Sequence, residues 1–215
     1  MTDAFQNLAV LSGDLVGSTT AGPGATEAAL LRLSRAADQI AGWGGNTDTK
    51  FTRFRGDGWQ IVLTDPALAF RALLMLFASL QAEKNGLSTR IAIGLGPSDR
   101  IPDDGLSAAS GPAFEASGRA LDKLTKPDRF AIAGEDATEL HRAVLALAEE
   151  LATGWTPEQA EAIVLYLAPD NPTLNDIAGP LGISTQAAHY RVRGAGGTRL
   201  RRACSLWEEQ QDKPC

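Results

Sequence analysis

Cysteine and histidine are both scarce in this chain. Of its 215 residues, only Cys204 and Cys215 are cysteines and only His141 and His189 are histidines. Two cysteines near the C-terminus make no disulfide framework, so we expect reduced thiols in a cytoplasmic protein. No motif ties either histidine to a thiol, which argues against a cysteine nucleophile.

Long apolar runs are also missing. The stretch Ala67–Leu80 comes nearest, and Arg71 interrupts it, whereas a membrane-spanning helix needs about 18–20 apolar residues. Residues Met1–Gln6 are polar and acidic and lack the basic run of a signal peptide. With 44% hydrophobic and 21% charged residues, the chain is expected to form an ordinary packed core and to have no membrane partner.

Positive charge is low overall, because the formal net charge is −6, and this argues against a nucleic-acid partner. The charge is uneven, however. Residues Asn171–Ala203 contain five arginines and one aspartate, a balance of +4 that leaves −10 on the remainder. A basic segment on an acidic body is typical of a DNA-binding appendage. A solvated basic helix without a partner is the alternative.

The apolar patterns alternate between strand and helix in an order typical of α+β proteins. The predicted elements are a strand at Leu8–Ser12, a helix from Thr26, a hairpin of Lys50–Phe54 and Trp59–Leu63, a helix at Ala67–Gln81, a strand at Thr89–Leu95, a helix at Pro112–Leu124 and a strand at Phe130–Ala133. A hairpin within this mixed order favours a ferredoxin-like sheet over a doubly wound one. We therefore predict an α+β domain over residues 1–150 and an all-α domain over residues 151–215.

The second predicted domain has a helix-turn-helix pattern. A helix at Thr156–Leu167, capped by Thr156, is followed by a short helix at Leu174–Leu181, capped by Thr173. A turn at Gly182 and a helix capped by Ser184 come next. Short helix, glycine turn and capped second helix are the plan of a DNA-binding helix-turn-helix. A helical dimerisation or interaction module is the alternative.

The outward face of the Ser184-capped helix predicts the DNA contacts. Thr185, Gln186, His189 and Arg193 lie on that face, where Gln186 is suited to adenine and Arg193 to guanine or phosphate. Four further arginines are expected to contact phosphate, which gives affinity without sequence reading: Arg191, Arg199, Arg201 and Arg202. The predicted partner is double-stranded DNA.

Two aspartates of the first domain are expected to converge. Asp14 follows the first predicted strand and Asp57 lies at the hairpin tip, and these elements are neighbours in a ferredoxin-like sheet. Converging carboxylates suit a divalent cation such as Mg²⁺. Backbone amides at Gly17, Ser18 and Thr19 could hold phosphate beside it. The alternative is that each Gly-Asp pair only makes a turn.

At this point four segments resemble a known family. The segments GDLVGST (13–19), RFRGDGW (53–59), TRIAIG (89–94) and GPAFEASGRAL (111–121) resemble the metal and transition-state motifs of class III nucleotide cyclases. The same segments, with Gln60 after the second Gly-Asp and a helix-turn-helix at the end, resemble the SatD family more closely. The resemblance covers nearly the whole chain.

The resemblance implies roles for particular residues. Asp14 and Asp57 would bind two metal ions, Mg²⁺ or Mn²⁺, and the amides of Gly17, Ser18 and Thr19 would hold the phosphates of a nucleotide. Arg119 would be the catalytic residue that neutralises charge on the α-phosphate. In homodimeric cyclases the metals and this arginine come from different subunits, so the resemblance also implies a homodimer.

Three positions depart from the cyclase pattern. Arg53 replaces a lysine, Glu115 an asparagine and Ala108 an aspartate. The residues that bind the metals in cyclases are kept and the residues that recognise the purine base are not. Either the ligand therefore differs, or the domain binds its ligand without turnover.

The first hypothesis is a DNA-binding transcriptional regulator with a nucleotide- and metal-sensing cyclase-like domain. The second is an active nucleotide cyclase or related phosphotransfer enzyme with an accessory helix-turn-helix, and the third is an interaction protein that does not bind DNA.

Overall fold

The centre of the molecule is a five-stranded mixed sheet. The computed structural model describes residues 7–44, 49–54, 56–102 and 105–211. Its strands are β1 (Asn7–Val16), β2 (Lys50–Arg53), β3 (Gly58–Leu63), β4 (Ser88–Pro97) and β5 (Phe130–Gly134), in the spatial order β2-β3-β1-β4-β5. Strands β4 and β5 pair in parallel, and the other neighbours pair antiparallel. The first four strands have the order and directions expected for a ferredoxin-like sheet.

Helices cover both faces of the sheet and continue beyond it. They are α1 (Ser18–Ala21), α2 (Pro23–Ala41), α3 (Ala69–Gln81, after a 3₁₀ turn at Pro66–Leu68), α4 (Pro112–Lys123), α5 (Glu139–Thr153), α6 (Pro157–Tyr166), α7 (Leu174–Ala178), α8 (Thr185–Gly194) and α9 (Gly197–Gln211). None of the helices in the described ranges combines the length and apolar character that crossing a bilayer requires.

The alternation of β1 divides the core between the two faces. Leu11 and Leu15 belong to the large cluster formed with α2 and α3, whereas Leu8 and Val10 pack with Ala113 of α4. Such alternation is the period of a strand buried on both faces. The even-numbered residues of β1 therefore lie on the side of α4.

The C-terminal helices pack on α3 and share its core. Every residue from Ala69 to Leu80 is buried, because α3 lies between the sheet and α6, with α9 also in contact. A single apolar cluster runs from the sheet through α3 to Leu200 of α9. The division of the chain at residue 150 stays a prediction.

A buried arginine ties α3 to α9. The Arg71 side chain is 2% exposed and makes two hydrogen bonds to Glu208, of 2.6 and 2.9 Å, and one of 2.7 Å to the Leu167 carbonyl. Nearby, the His141 ring lies 4.2 Å from the Trp207 ring, and Phe70 stacks on Trp207 at 5.1 Å. The junction between the sheet part and the C-terminal helices is therefore both polar and apolar.

The structure corrects two predicted boundaries. β1 does not end at Ser12 but continues to Val16, so Asp14 lies within the strand. Gly13 is required there by close packing rather than by a turn, because a Cβ at this position would overlap the Trp59 ring. The helix predicted to reach Leu181 ends at Ala178, since Pro180 lacks the N–H that another turn would need.

Cys204 is a buried, free thiol at the inner face of α9. Burial raises its pKa to about 12, so the group stays protonated at neutral pH and is a poor nucleophile. Cys215 lies outside the described residues.

Candidate functional site

Asp14 sits in β1 and pairs with an arginine of the next strand. Asp14 and Arg90 are directly opposite in the antiparallel β1/β4 ladder. The Arg90 guanidinium donates to both carboxylate oxygens, with 2.9 Å between Nε and Oδ1, and also to the Leu124 carbonyl at the end of α4 at 2.9 Å. Sequence reasoning missed Arg90, because the first strand was predicted to end at Ser12 and Asp14 therefore had no partner in the ladder.

Asp57 lies in the turn of the β2/β3 hairpin, as predicted. Its Oδ2 accepts a hydrogen bond from the Ser18 hydroxyl, which connects the hairpin to the start of α1. Gly17 just before Ser18 has φ +84°, a left-handed conformation that glycine adopts without strain. A groove of about 500 Å³ opens here, with Ser18, Thr19 and Asp57 in its lining.

The two aspartates lie near the same end of the sheet, although only Asp57 is in the lining of the groove. Asp14 is paired across the β1/β3 ladder with Gly58, the residue that follows Asp57. The hydrogen bonds with Asp14 raise the pKa of Arg90, and the negative charges of Asp14, Asp122 and Asp57 add to this effect. Arg90 therefore lies within electrostatic reach of both predicted metal ligands.

Arg53 forms an ion pair at the other side of the groove. Its two terminal nitrogens donate to the two Glu27 oxygens at 2.8 and 2.6 Å. Hydrogen bonding by Arg53 lowers the pKa of the Glu27 carboxyl. Glu27 lines the groove and Arg53 does not, so Arg53 is connected to the groove only by its ion pair with Glu27. The pair is exposed on both sides, which makes it exchangeable for a ligand.

The carboxylate oxygens at this end of the sheet would suit a divalent cation that is also coordinated by phosphate oxygens of a ligand. Within residues 7–44, 49–54, 56–102 and 105–211, no cluster of three or more His, Cys, Asp or Glu side chains could hold a metal ion. Mg²⁺ is commonly bound through one or two carboxylates together with substrate phosphates. Asp14 and Asp57 stay the predicted carboxylates for such a cation, with Asp14 paired to Arg90 and the Leu15 carbonyl adjacent in sequence. A dedicated metal site formed by protein ligands alone does not fit.

A buried chain of hydrogen bonds fixes α4 against β1 behind this site. Gln60 donates to the Ser12 hydroxyl at 2.8 Å, and Ser12 and Ser117 share a hydrogen bond of 2.8 Å. Ser117 donates in turn to the Phe114 carbonyl at 3.0 Å. At Gly94 of β4 a Cβ would overlap the backbone of Ala113. The position of α4 is thus set by close contact as well as by polar bonds, a role of Gln60 that the sequence did not reveal.

Arg119 lines a different groove. It projects from α4 beside β5 and α5, into an opening of about 1010 Å³. Its guanidinium pairs with Glu115 one turn earlier, with 3.0 Å between Nη1 and Oε2, and both side chains are about two-thirds exposed, at 65% and 66%. Asp57 and Ser18 belong to the other groove. The structure does not bring Arg119 into one lining with the predicted metal ligands of the same chain.

Three helices of the C-terminal part have the caps that the sequence predicted. Thr156 caps α6, Thr173 caps α7 and Ser184 caps α8. Gly182, at φ +63°, lies in the turn between α7 and α8, and Ile183 bonds back to the Ala178 carbonyl at 3.1 Å. Local signals suffice here because a cap and a left-handed glycine need no distant partner.

One face of α8 is buried and the opposite face is open. Ala188 and Val192 are buried, whereas Gln186, His189 and Arg193 are exposed. Thr185 is exposed too, but its hydroxyl donates to Asn175 of α7 at 2.6 Å. The open face carries no acidic residue of α8.

The remaining arginines fall into two groups: those whose guanidinium contacts other protein groups, and those that are exposed. Arg191 pairs with Glu161 at 2.8 Å and is 24% exposed. Arg201 lies 3.3 Å from the centre of the Tyr166 ring and donates to the Pro172 carbonyl at 2.9 Å. The phosphate contact predicted for Arg201 is therefore wrong, because its guanidinium holds the segment before α7. Arg199 and Arg202 are exposed on α9.

Comparisons with known proteins give partial structural similarity only. No protein-family model matches the chain, and no curated protein matches it, so the resemblance to the SatD family has no counterpart there. The monomeric guanylyl cyclase domain of the RhoGC fusion protein from the aquatic fungus Blastocladiella emersonii is 20% identical, with 58% of this chain and 80% of that chain covered and a TM-score of 0.43.

Two further solved structures give similar values. The catalytic core of a rhodopsin-guanylyl cyclase with converted specificity, in complex with ATPalphaS, is 20% identical over 57% of this chain and 75% of that chain, with a TM-score of 0.44. The guanylyl cyclase Cya2 is 17% identical over 58% and 74% of the two chains, with a TM-score of 0.39. At these TM-scores the similarity carries no argument about function. The proposal for the function therefore rests on the residues of the site.

Proposed function

We propose that this chain is a DNA-binding regulator whose sheet domain binds a nucleotide together with a divalent cation. The observation that carries the DNA-binding part is the open face of α8. Gln186, His189 and Arg193 project from a helix whose opposite side is anchored in the core. A short helix and a glycine turn precede it, as in DNA-binding helix-turn-helix units.

The charge distribution supports the same proposal. The chain is acidic overall, with a net charge of −6, yet α8 has only arginines among its charged residues. A local basic face on an acidic protein is the electrostatic signature of a nucleic-acid contact. We assign base reading to Gln186 and Arg193, with His189 beside them. Arg191 contributes only if Glu161 releases it.

The sheet end supplies the ligand-sensing part of the proposal. Asp14 and Asp57 would hold a divalent cation together with phosphate oxygens of a nucleotide, and Ser18 and Thr19 line the adjoining groove. The cation would supply positive charge that offsets the phosphates. Arg90 holds the Asp14 carboxylate in place through a hydrogen bond of 2.9 Å from its Nε to Oδ1.

The alternative of an active nucleotide cyclase needs a second copy of the chain. Arg119, the residue expected to neutralise charge on the α-phosphate, lines the groove at β5 and is held by Glu115. Turnover would require Arg119 from another subunit to reach Asp14 and Asp57. Binding without turnover needs no such rearrangement, and we therefore favour the regulator.

Fluorescence anisotropy with a random-sequence duplex pool, followed by selection of bound sequences, tests DNA binding. We expect binding that weakens with rising salt, because phosphate contacts release counterions. Arg193→Ala should weaken binding by about 1–3 kcal/mol for a base contact, or lower the salt dependence by about one ion for a phosphate contact.

Arg35→Ala is the matched control, since Arg35 is an exposed arginine of α2, away from α8. The control should bind duplex like the wild-type chain. Absence of any salt-sensitive binding by the wild-type chain, or equal affinity of the Arg193→Ala variant under all salt conditions, would show that α8 is an interaction module of another kind.

A further inference from the structure

One of the two histidines of the chain is buried against α9. His141 of α5 is 3% exposed, whereas His189 is exposed on α8. The centre of the His141 ring lies 4.2 Å from the Trp207 ring of α9, and Trp207 stacks in turn on Phe70 of α3. His141 therefore lies where α3, α5 and α9 come together.

The hydrogen bonds of His141 fit only the neutral ring. Its Nδ1 accepts a hydrogen bond of 3.2 Å from the Thr138 N–H, and its own N–H donates to the Thr138 hydroxyl, which together form the capping box of α5. Because Nδ1 is an acceptor here, the proton of the neutral ring is on Nε2. A second proton on Nδ1 would point at the Thr138 N–H, donor against donor, and the capping bond would be lost.

The surroundings of the ring also disfavour a positive charge. Nε2 is buried and has no hydrogen-bond partner among the described residues, and the ring belongs to the first turn of α5, the positive end of the helix dipole. Burial lowers the pKa of His141. Asp136, through its backbone and its charge, opposes part of this effect, and the charge of Arg142 adds to it. The face of the Trp207 ring favours a cation, but not enough to reverse the direction.

The other charged groups at the junction are paired with one another. On α5, Arg142 donates to Glu139 at 2.6 Å. Across the junction, Arg71 of α3 donates to Glu208 of α9 at 2.6 Å. The Cys204 thiol of α9 stays protonated, because burial raises its pKa to about 12. These contacts leave Asp136 as the anion that acts on His141.

We propose that His141 makes the attachment of α9 to the rest of the protein sensitive to mildly acidic pH. The neutral ring keeps the cap of α5 and the contact with Trp207, and protonation breaks the bond to Thr138 and places a charge in the buried junction. An open junction exposes the ring to water and binds the proton more tightly than the closed one. The contribution of His141 to the closed form is therefore complete above a pH of about 6.5 and is lost as the pH falls below it.

The consequence extends to the C-terminal helices. Besides α3, α9 contacts α6 and α8, so a looser α9 weakens the connection between these helices and the sheet. The effect needs neither DNA nor nucleotide. It is tested on the free protein, and it can fail or hold independently of the proposed function.

Amide hydrogen exchange of α9 in the whole chain, compared at pH 7.5 and pH 5.5 after correction for the intrinsic rates, tests the proposal. We expect the opening of α9 to increase several-fold at pH 5.5. The limit is about tenfold, which is the change for a histidine of ordinary pKa that titrates only in the open form. In His141→Gln the increase should be absent, because a glutamine at this position accepts the same capping bond and binds no proton.

His189→Gln is the matched control, since it removes the exposed histidine and leaves the junction intact. Its α9 should open at pH 5.5 as in the wild-type chain. Titration of the His141 ring by nuclear magnetic resonance in the wild-type chain gives a second readout that needs no variant, and the ring should titrate below pH 6.5. Equal acid-induced opening of α9 in the wild-type and His141→Gln chains, or a His141 ring that titrates at or above pH 6.5, would overturn the proposal.

Discussion

Two of the bidentate arginine–carboxylate pairs in this molecule lie at different places and differ in burial. Arg71 and Glu208 join α3 to α9 with side chains that are 2% and 23% exposed, whereas Arg90 and Asp14 join β4 to β1 with side chains that are 28% and 26% exposed. Water screens the second pair far more than the first. The same chemical contact is therefore a structural tie at the junction and an exchangeable one at the sheet end.

The difference in exposure explains how the side chains of the candidate site can have partners in the free protein and still exchange them for a ligand. Among the described residues at the sheet end, Asp14 has Arg90 as a neighbour, Asp57 has Ser18 and Arg53 has Glu27. Each of these contacts is at least partly exposed, so a cation or phosphate can replace it at modest cost. At the junction no ligand replaces Arg71, because the Leu167 carbonyl and Glu208 surround it.

The largest expected effect is that of Arg71→Met. The substitution leaves the Glu208 carboxylate without its partner in a largely buried place, and breaking a buried pair on one side costs about 3–5 kcal/mol. Urea unfolding should show this loss in the free energy of unfolding.

Arg32→Met serves as the exposed control, because Arg32 pairs with Glu83 at 43% and 50% exposure. That variant should lose less than about 1 kcal/mol. The double variant Arg71→Met/Glu208→Met should recover much of the lost stability, since no unpaired charge remains. Equal losses in the Arg71 and Arg32 variants would remove the distinction between the two kinds of pair.

A smaller effect is expected for Arg90→Met. Stability should change by about 1 kcal/mol or less, because the pair is partly exposed. Binding of Mn²⁺ together with a nucleotide, measured by electron paramagnetic resonance, should instead tighten about tenfold, since loss of one positive charge leaves Asp14 and Asp57 less compensated.

Arg119→Met is the control for this measurement, because Arg119 pairs with Glu115 in the other groove. Its Mn²⁺ affinity should equal that of the wild type. If the Arg90→Met variant kept the wild-type Mn²⁺ affinity and lost much stability, the Arg90–Asp14 pair would instead be a structural contact like Arg71–Glu208.

Much of the fold could be predicted because its signals are local. The caps at Thr156, Thr173 and Ser184 and the left-handed turn at Gly182 were all predicted from neighbouring residues. The hairpin with Asp57 in its turn was also confirmed. Each of these features depends on a few adjacent residues.

The features that were missed depend on distant partners. Arg71 and Glu208 are 137 residues apart in sequence, and no local pattern indicates their contact. Gly13 resembled a turn residue, but its need for glycine comes from Trp59 across the ladder. Arg201 looked free for phosphate until Tyr166 and Pro172 were placed beside it. Packing across the molecule decides such roles.

The most direct test of the ligand-binding claim is isothermal titration of the whole chain with ATP, GTP, CTP and UTP in the presence of Mn²⁺. We expect at least one nucleotide to bind in a metal-dependent manner, and Asp57→Asn to abolish this binding while its amide oxygen still accepts the Ser18 hydroxyl. Heat of binding that is unchanged in the Asp57→Asn variant, or no binding of any nucleotide by the wild-type chain, would contradict the account.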